Sequence, residues 1–425
     1  MRKTVLGLSA GASALACVFF FVACGTSSSG FGDPNGQNGD GGKPGEFGSS
    51  DGAATDVIPP PIGNVSGKVT APEGTIPISD ALVYLTKTPP APIPSTTYCD
   101  KCVELSSYAF TYSKADGTFD LPVYAEGEQY MVTQKGQFRR VRKVSAGAGT
   151  LRAVPEDNRL PGKNDEAAGD TIPRMLVMPY AWDKVDRSLN KLGITDFESL
   201  QGVSDGPTAS RIQKDPAELA KYHVVFFPCT GSVNNDPTGS GNQPYCSVGY
   251  MADKTVGSAL KQYVQGGGKL YFTDFSYEYV RQNWPGFITW SGETSVVGSA
   301  CGSGQSNGPA QFDDKGLDAW MQAIGEGTAT LQGSYTSILR VNPMSSLDEN
   351  GNTFTQTPKV WVSQLYSSSA RPATVSFQDK CGRVLFSTYH TEAAGAGTLL
   401  AQEKALMHVL LEVSACVGVK PTPPR

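Results

Sequence analysis

Residues 266–274, Gly-Gly-Gly-Lys-Leu-Tyr-Phe-Thr-Asp, decide the fold of the C-terminal half of this chain. A helical pattern over 256–264 precedes them, with Leu260 and Tyr263 on one face. The glycines predict the end of that helix, because glycine adopts helix-terminating conformations at little cost. The apolar run 270–273 then predicts a buried strand. Helix, glycine stop and buried strand together indicate one repeating unit of an α/β sheet.

The same pattern recurs throughout residues 172–417. Apolar runs cover 174–178, 223–227 and 384–387, helical stretches cover 182–192 and 399–416, and 360–366 with 373–377 form a partly antiparallel pair. Continuous apolar runs that alternate with helices indicate a mainly parallel sheet covered on both faces. We therefore predict an open α/β domain over 172–417 and a short tail over 418–425.

The predicted sheet places several chemically active side chains along one edge. In an open parallel sheet, ligands bind outside the carboxyl ends of the strands. The residues that leave those ends here are Tyr180, Trp182, Asp183, Cys229, Thr230, Asp274, Ser276, His390 and Glu392. Carboxylates, aromatic rings and one imidazole on a common rim predict a site for a polar ligand such as a sugar. The alternative is a rim whose polar groups only satisfy the backbone of neighbouring loops.

The order of these landmarks resembles the class I glutamine-amidotransferase-like superfamily, and most closely its ThuA-like members. The landmarks are residues 224–227, residues 267–274, and the segment that runs from 382–386 to His390-Thr-Glu392. The resemblance implies a flavodoxin-like fold. In that family a His-x-Glu pair completes a Cys-His-Glu triad, and His390 and Glu392 stand at its place.

The elbow at the end of the 270–273 strand departs from the family. Amidotransferases carry their nucleophilic cysteine there, within Gly-x-Cys-x-Gly, whereas this chain has Asp274, Phe275 and Ser276. We therefore predict a binding domain without catalysis. The alternative is a hydrolase or amidotransferase relative in which His390 and Glu392 work with an unconventional nucleophile, namely Cys301, Cys229 or Ser276.

Residues 62–150 carry a different pattern, of short strands separated by turn residues. Predicted strands cover 65–69, 81–85, 108–112, 119–123, 130–133 and 139–141, and Asp116-Gly117 is a hairpin turn signal. This spacing predicts a β-sandwich, and 151–171 a linker. Residues 67–69, 78–83, 115–119 and 130–132 resemble a carboxypeptidase-regulatory-like (transthyretin-like) domain. The resemblance implies a structural or adhesive module without catalytic residues.

The N-terminus has the pattern of an exported, lipid-anchored protein. Arg2 and Lys3 precede an apolar stretch, and Phe21-Val-Ala-Cys24 resembles the bacterial lipobox. We predict a signal peptide over 1–23, acylation of Cys24, and a disordered Gly/Ser/Pro-rich tether within 24–61. The predicted location is the cell envelope, as an outer-membrane lipoprotein that is either periplasm-facing or surface-exposed. A secreted protein without lipid, or an uncleaved anchor, is the alternative.

Cysteine usage predicts a disulfide framework in an oxidising compartment. Of nine cysteines, Cys17 belongs to the signal and Cys24 to the lipid anchor, which leaves seven. The predicted pairs are Cys99–Cys102, Cys381–Cys416 and Cys229–Cys246, with Cys301 left over. The second pair follows from topology, because a strand followed by a returning helix brings its two ends together. A metal site or a redox motif is the alternative for Cys99-x-x-Cys102.

Composition excludes several function classes. The formal charge is −5 and no basic block is present, so we expect no nucleic-acid partner. Three histidines leave little room for a His-rich metal centre, and we predict no metal and no cofactor. The predicted partners are the membrane, through the N-terminal lipid, and an envelope protein or glycan. The chain is thus expected to be multi-domain, with a tether, an all-β sandwich and an α/β open sheet.

Overall fold

The computed structural model describes residues 59–105, 107–202, 206–230, 232–235, 244–247, 253–366, 369–392 and 397–411. The predicted signal peptide, Cys24, nearly all of the predicted tether, Cys416 and the tail lie outside these residues. None of the helices within them combines the length and the apolar character needed to cross a membrane. The described residues from 59 to 411 belong to one compact unit.

The N-terminal region of this unit consists of strands arranged in two sheets. The strands are β1 (Gly63–Lys68), β2 (Leu82–Thr86), β3 (Phe110–Tyr112), β4 (Thr118–Val123), β5 (Gly127–Lys135), β6 (Phe138–Ala146), β7 (Gly149–Arg152) and β8 (Asp170–Thr171). The sheet orders are β4-β1-β7 and β3-β2-β5-β6-β8. In β4, alternate residues are buried, as expected of a strand with one face on a core. All six strands predicted between 62 and 150 are confirmed.

The turn predicted at Asp116-Gly117 is confirmed, but it is not a hairpin, because the strands on either side of it pair with other strands. The Asp116 carboxylate accepts hydrogen bonds from the backbone N–H and the hydroxyl of Thr118, at 2.9 and 2.6 Å. Gly117 has a φ of 79°, in the left-handed region that glycine adopts without steric cost. The turn joins β3 to β4 and thereby links the two sheets.

Residues 151–171 are packed structure, and their prediction as a linker is wrong. They include part of β7, a short helix α1 (Pro155–Asn158), and β8, which pairs antiparallel with β6. The Arg140 guanidinium donates two hydrogen bonds to the buried Asp170 carboxylate, at 2.9 and 2.7 Å. Polar composition suggested a spacer, but this charge pair ties the segment to the sheet.

The C-terminal region is built around a large mixed sheet. Its elements are β9 (Met175–Val177), α2 (Val185–Lys191), β10 (Glu198–Ser199), α3 (Pro207–Lys214), α4 (Pro216–Leu219), β11 (Val224–Phe227), β12 (Ser232–Asn235), β13 (Pro244–Ser247), α5 (Lys254–Gln265), β14 (Lys269–Thr273), α6 (Tyr277–Asn283), β15 (Ile288–Trp290), β16 (Asn307–Phe312), α7 (Lys315–Ala323), β17 (Thr330–Gln332), β18 (Ile338–Val341), β19 (Met344–Leu347), β20 (Thr353–Gln356), β21 (Lys359–Tyr366), β22 (Ser369–Asp379), β23 (Gly382–Ser387) and α8 (Ala401–Leu411). The sheet order is β10-β9-β11-β14-β23-β22-β21-β16-β17.

Strand direction follows the prediction. The strands from β10 to β23 are parallel neighbours, whereas β22, β21, β16 and β17 continue the sheet antiparallel. The α5 helix begins at an Asp253 cap, whose carboxylate accepts the Thr255 N–H at 2.8 Å. It ends at glycine, and Gly267 has a φ of 103°. The carboxyl ends of β9, β11, β14 and β23 therefore lie along one edge.

Both faces of this sheet are covered, as predicted. Along β14, Leu270 and Phe272 pack in one hydrophobic cluster with α3, α5 and α6, and Tyr271 packs in the other. The second cluster includes residues of α2, α7 and α8, and it continues into β1 and β4 of the N-terminal sheets. The Trp320 indole N–H donates to the Pro77 carbonyl at 2.7 Å across this junction. The two regions therefore share one continuous core.

The Pro-rich loop before β3 packs against the amino end of the large sheet. The Lys269 ammonium donates to the Asp100 carboxylate at 2.6 Å, and both side chains are largely buried. His223, at the start of β11, accepts the Arg174 N–H at Nδ1 (2.9 Å) and contacts the Pro94 carbonyl through Nε2 (2.8 Å). Burial lowers the pKa of His223, and this outweighs the opposing effect of the hydrogen bond to the Pro94 carbonyl. The imidazole is therefore neutral and holds the loop in place.

This docking changes the disulfide assignment. Cys99 is bonded to Cys381, with 4.7 Å between the Cα atoms, so the predicted pairs Cys99–Cys102 and Cys381–Cys416 are wrong. The reason is that the loop carries Cys99 to the turn before β23, a contact that sequence spacing does not reveal. The Cys229–Cys246 pair is also wrong, because Cys229 is a free, buried cysteine. Cys301, predicted to be left over, is disulfide-bonded, as is Cys102.

Candidate functional site

The candidate site lies at the turn that follows β14. The strand ends at Thr273, residues Asp274–Ser276 form one 3₁₀ turn, and α6 begins at Tyr277. Asp274 is fully buried and has a φ of 43°, which is uncommon outside glycine although aspartate tolerates it better than most residues. The turn is therefore a strained strand-to-helix elbow with a carboxylate at its tip.

Two neighbouring strand ends bring side chains to that carboxylate. Cys229, after β11, places Sγ 3.6 Å from Asp274 Oδ2. His390, after β23, places Nε2 3.3 Å from the same oxygen. The other oxygen, Oδ1, accepts the backbone N–H of Tyr335 at 3.2 Å. The sulfur, the imidazole nitrogen and the carboxylate oxygen all lie within 4.8 Å of one another.

A second buried carboxylate holds the three strand ends in place. Asp183 accepts the Thr273 hydroxyl at 2.8 Å and the Glu392 N–H at 3.1 Å. Thr273 Oγ1 in turn accepts the Cys229 N–H at 2.8 Å. Asp183 is fully buried, so these hydrogen bonds are shielded from water. The chain segments after β11, β14 and β23 are thus cross-linked by one polar network.

The electrostatics of this network are dominated by burial. Burial raises the pKa of Asp274 and of Asp183, and interaction with His390 opposes both shifts. Burial also raises the pKa of the Cys229 thiol far above its usual range, and the Asp274 charge raises it further. For His390, burial lowers the pKa, but Asp274 and Asp183 outweigh it and the net shift is upward. The cluster formed by Cys229, Asp274 and His390 therefore holds a neutral thiol and attracts positive charge.

One nitrogen atom of this cluster lacks a hydrogen bond. His390 Nε2 is buried and lies within ion-pair distance of Asp274, but it has no aligned hydrogen-bond partner. Gly333 packs closely against this ring with a φ of 75°, and a Cβ there would lie 2.9 Å from Cγ and Nδ1. The Tyr335 ring lies 5.7 Å from the imidazole, centroid to centroid. The ring is thus packed against Gly333 and Tyr335 with Nε2 toward Asp274.

The structure brings together only part of the predicted rim. Asp183, Cys229, Asp274 and His390 converge. The Tyr180 hydroxyl donates instead to Asp186 at 3.0 Å, and burial, with a smaller contribution from Asp186, raises the pKa of Tyr180 to about 12. The Trp182 side chain is 57% exposed, whereas Thr230 is buried.

The remaining predicted nucleophile and triad residues have other contacts. The Ser276 hydroxyl donates to the Pro228 carbonyl at 2.9 Å and is fully buried. Glu392 Oε1 lies 3.4 Å from Lys191 Nζ, and the same ammonium contacts Glu403 at 2.7 Å. The strongest electrostatic partners of His390 are therefore Asp274 and Asp183, in place of the expected Glu392.

Two contributors were missed by the sequence analysis. Gly333 and Tyr335 lie beyond β17, in the long stretch between α6 and β21 for which no strand pattern was identified. The only signal in the sequence is a glycine in a Gln-Gly-Ser-Tyr segment, and a glycine alone does not reveal what packs against it. Their placement depends on the antiparallel strands that return this stretch to the sheet edge.

Comparison with known proteins adds little at this level. No family model and no curated protein matches the chain. It is similar to the cytoplasmic protein STM1381 from Salmonella typhimurium LT2, with 9% identity over 57% of this chain and 99% of that chain, at a TM-score of 0.33. It is also similar to the cytoplasmic protein STM3548 from Salmonella typhimurium, with 10% identity over 56% of this chain and 98% of that chain, at a TM-score of 0.32. A third similar structure is Gan42B, a GH42 β-galactosidase from G. stearothermophilus, with 11% identity over 60% of this chain and 32% of that chain, at a TM-score of 0.28. The chain therefore spans about a third of that enzyme's length. Because these TM-scores are low, the likenesses establish neither a family nor an activity.

Proposed function

We propose that this chain is a cell-envelope lipoprotein whose folded region binds a polar ligand, a glycan or an envelope protein. Acylated Cys24 anchors it in the membrane, and the Gly/Ser/Pro-rich segment up to residue 61 acts as the tether. Several acyl chains at about 0.8 kcal/mol per buried CH₂ group give a stable anchor. The outer membrane is the proposed location.

Within this proposal, the two N-terminal sheets are a β-sandwich of the carboxypeptidase-regulatory-like kind that supports the C-terminal domain. The C-terminal domain is a flavodoxin-like, amidotransferase-like scaffold. Parallel strands β9, β11, β14 and β23 with helices on both faces support this assignment. The polar edge at their carboxyl ends is the ligand site, as expected for open α/β sheets.

The observation that carries a binding role is the residue at the tip of the elbow. Asp274 occupies the strained strand-to-helix position where the amidotransferase-like resemblance implies a cysteine. The alternative nucleophiles are poorly placed, since Cys301 is in a disulfide and Ser276 donates its hydrogen to a carbonyl. Cys229 is a buried, neutral thiol beside a carboxylate, and the thiolate is the nucleophilic form. The scaffold is therefore suited to binding, and thiol or serine catalysis is disfavoured.

Labelling of the full chain with reactive thiol and serine probes tests the loss of catalysis. We expect no labelling of the native protein, and labelling of Cys229 only after unfolding. His390→Ala is the control, because probe labelling that depends on a catalytic imidazole disappears in that variant. Rapid labelling of Cys229 or Ser276 in the native chain, abolished by His390→Ala, would establish the hydrolase alternative and end the binding proposal.

Metabolic labelling with an alkyne fatty acid tests the anchor separately. The wild-type chain should incorporate the label and fractionate with membranes. Cys24→Ala should lose both properties, whereas Cys17→Ala, the matched control within the signal, should keep them. Release of unlabelled wild-type protein into the soluble fraction would instead support the secreted form.

A further inference from the structure

The three side chains at the elbow form a set of metal-ligand atoms. Cys229 Sγ, Asp274 Oδ2 and His390 Nε2 come from three different strand ends, and the structure places all three within 4.8 Å of one another. Cys229 is a free cysteine, whereas Cys99, Cys102, Cys301 and Cys381 are in disulfides. Its sulfur faces a carboxylate and an imidazole whose Nε2 is buried without a hydrogen-bond partner.

The two separations that involve Asp274 match those between ligands on a tetrahedral zinc ion. Zinc–ligand bonds of about 2.3 Å to sulfur and about 2.0–2.1 Å to nitrogen and oxygen imply edges of about 3.5 Å for S···O and about 3.3 Å for N···O. The observed separations are 3.6 Å for Cys229 Sγ to Asp274 Oδ2 and 3.3 Å for His390 Nε2 to Asp274 Oδ2. Both edges share one oxygen, and the sulfur and the imidazole nitrogen lie within 4.8 Å of each other, so the ion would draw these two atoms toward a common centre.

We propose that Cys229, Asp274 and His390 bind a divalent transition-metal ion, with Zn²⁺ the best match. A thiolate, an imidazole and a carboxylate suit zinc, whereas Mg²⁺ and Ca²⁺ take oxygen ligands only. On binding, the Sγ–H bond of Cys229 breaks, an Sγ–Zn bond forms, and the proton leaves to solvent. Neutral His390 donates the lone pair of Nε2. The oxidation states of the metal and the sulfur do not change.

Surrounding groups orient each ligand, as is usual around metal sites. The Tyr335 N–H fixes Asp274 Oδ1, which leaves Oδ2 toward the cluster. Thr273 fixes the backbone of Cys229, and Gly333 allows the His390 ring to pack closely. The described residues supply three ligands to this cluster, which leaves one tetrahedral position for water or for an oxygen atom of a ligand. The inference deepens the proposed binding function by giving the rim a metal ion to which a polar ligand can bind.

Zn²⁺ alone, and Co²⁺ alone as its spectroscopic substitute, provide the test. The full chain is purified in detergent under thiol-protecting conditions, stripped with a chelator and dialysed against each ion. We expect one ion per chain and, with Co²⁺, a thiolate-to-metal charge-transfer band in the near ultraviolet. Cys229→Ser should abolish the band, and both Cys229→Ser and His390→Gln should weaken binding at least tenfold. Asp313→Asn is the control and should bind normally, because this exposed carboxylate is not part of the cluster.

Each outcome is decisive because folding is measured in parallel by circular dichroism and thermal unfolding. If Cys229→Ser does not fold, Asp274→Asn takes its place, with weakened binding expected. A stripped wild-type chain with its disulfides intact and Cys229 as a free thiol that takes up neither ion overturns the proposal, as does binding that survives Cys229→Ser and His390→Gln together. Failure here leaves the lipid anchor and the probe-labelling result unaffected, so it is distinguishable from failure of the proposed function.

Discussion

Removal of the buried Asp183 carboxylate tests whether the polar network holds the site together. In Asp183→Ala, the Thr273 hydroxyl and the Glu392 N–H lose their acceptor in a fully buried place. A buried donor left without a partner costs about 1–3 kcal/mol, so the two together cost about 2–6 kcal/mol. With an unfolding entropy of about 2.1 cal/mol/K per residue over roughly 350 residues, the midpoint of thermal unfolding should fall by about 3–8 °C.

Equilibrium unfolding in urea, followed by tryptophan fluorescence and circular dichroism together, measures this loss. Asp183→Asn keeps the shape and one oxygen acceptor but turns an N–H donor toward one of the same partners. It should therefore lie between the wild type and Asp183→Ala. Asp313→Ala removes an exposed carboxylate and should stay within about 0.5 kcal/mol of the wild type. A loss below about 1 kcal/mol for Asp183→Ala would refute the view that this carboxylate ties the strand ends.

Three further predictions concern the ring contact, the docked loop and the disulfide. Gly333→Ala should destabilise the chain by about 1–2 kcal/mol, because alanine is strained in the left-handed backbone conformation, and it should also displace the His390 imidazole. Gly351→Ala is the control, because this glycine has a φ of 84° and open space around it, and it should only destabilise the chain. Identical NMR shifts of the His390 ring in both variants would count against the contact. The pKa of His223 is lower in the folded chain than in the unfolded chain, so unfolded chains bind the extra proton first as the pH falls. The free energy of unfolding should therefore fall below about pH 6.5, by at most about 1.4 kcal/mol per pH unit. In urea unfolding between pH 7.5 and 5.5, His223→Asn should reduce the dependence of this free energy on pH, and an unchanged dependence would contradict the prediction. Non-reducing peptide mapping should recover Cys99 joined to Cys381, and a peptide joining Cys99 to the next cysteine along the chain would show that the loop does not dock as described.

The central parallel strands could be predicted because burial on both faces leaves a local signal. Each of β11, β14 and β23 is a continuous apolar run, and their residues alternate between the two hydrophobic clusters. The rim followed from the same signal, since strand ends are fixed once the strands are. The sequence therefore predicts the rim positions of Asp183, Cys229, Asp274 and His390.

The features that the sequence does not predict depend on contacts between distant segments of the chain. Tyr335 and Gly333 reach the site from a stretch whose strands are short and half exposed, so their periodicity is weak. The Cys99–Cys381 bond spans a sequence separation of 282 residues and depends on a loop that docks through a buried Lys269–Asp100 pair. Spacing rules assume that nearby cysteines pair, and they fail when a loop crosses to another sheet.

The conformation of Asp274 bears on whether the site is functional or vestigial. A non-glycine residue at a φ of 43°, with a fully buried carboxylate, costs backbone strain and desolvation together. A turn with only a structural role would be more stable with glycine or asparagine at this position, since either relieves one of these costs. The carboxylate is instead held by the Tyr335 N–H and placed against a thiol and an imidazole. Strain of this kind persists where the surroundings fix it and where the side chain has a task. A bound cation would offset the desolvation that the bare cluster leaves uncompensated, which is why the elbow favours a working site over a remnant.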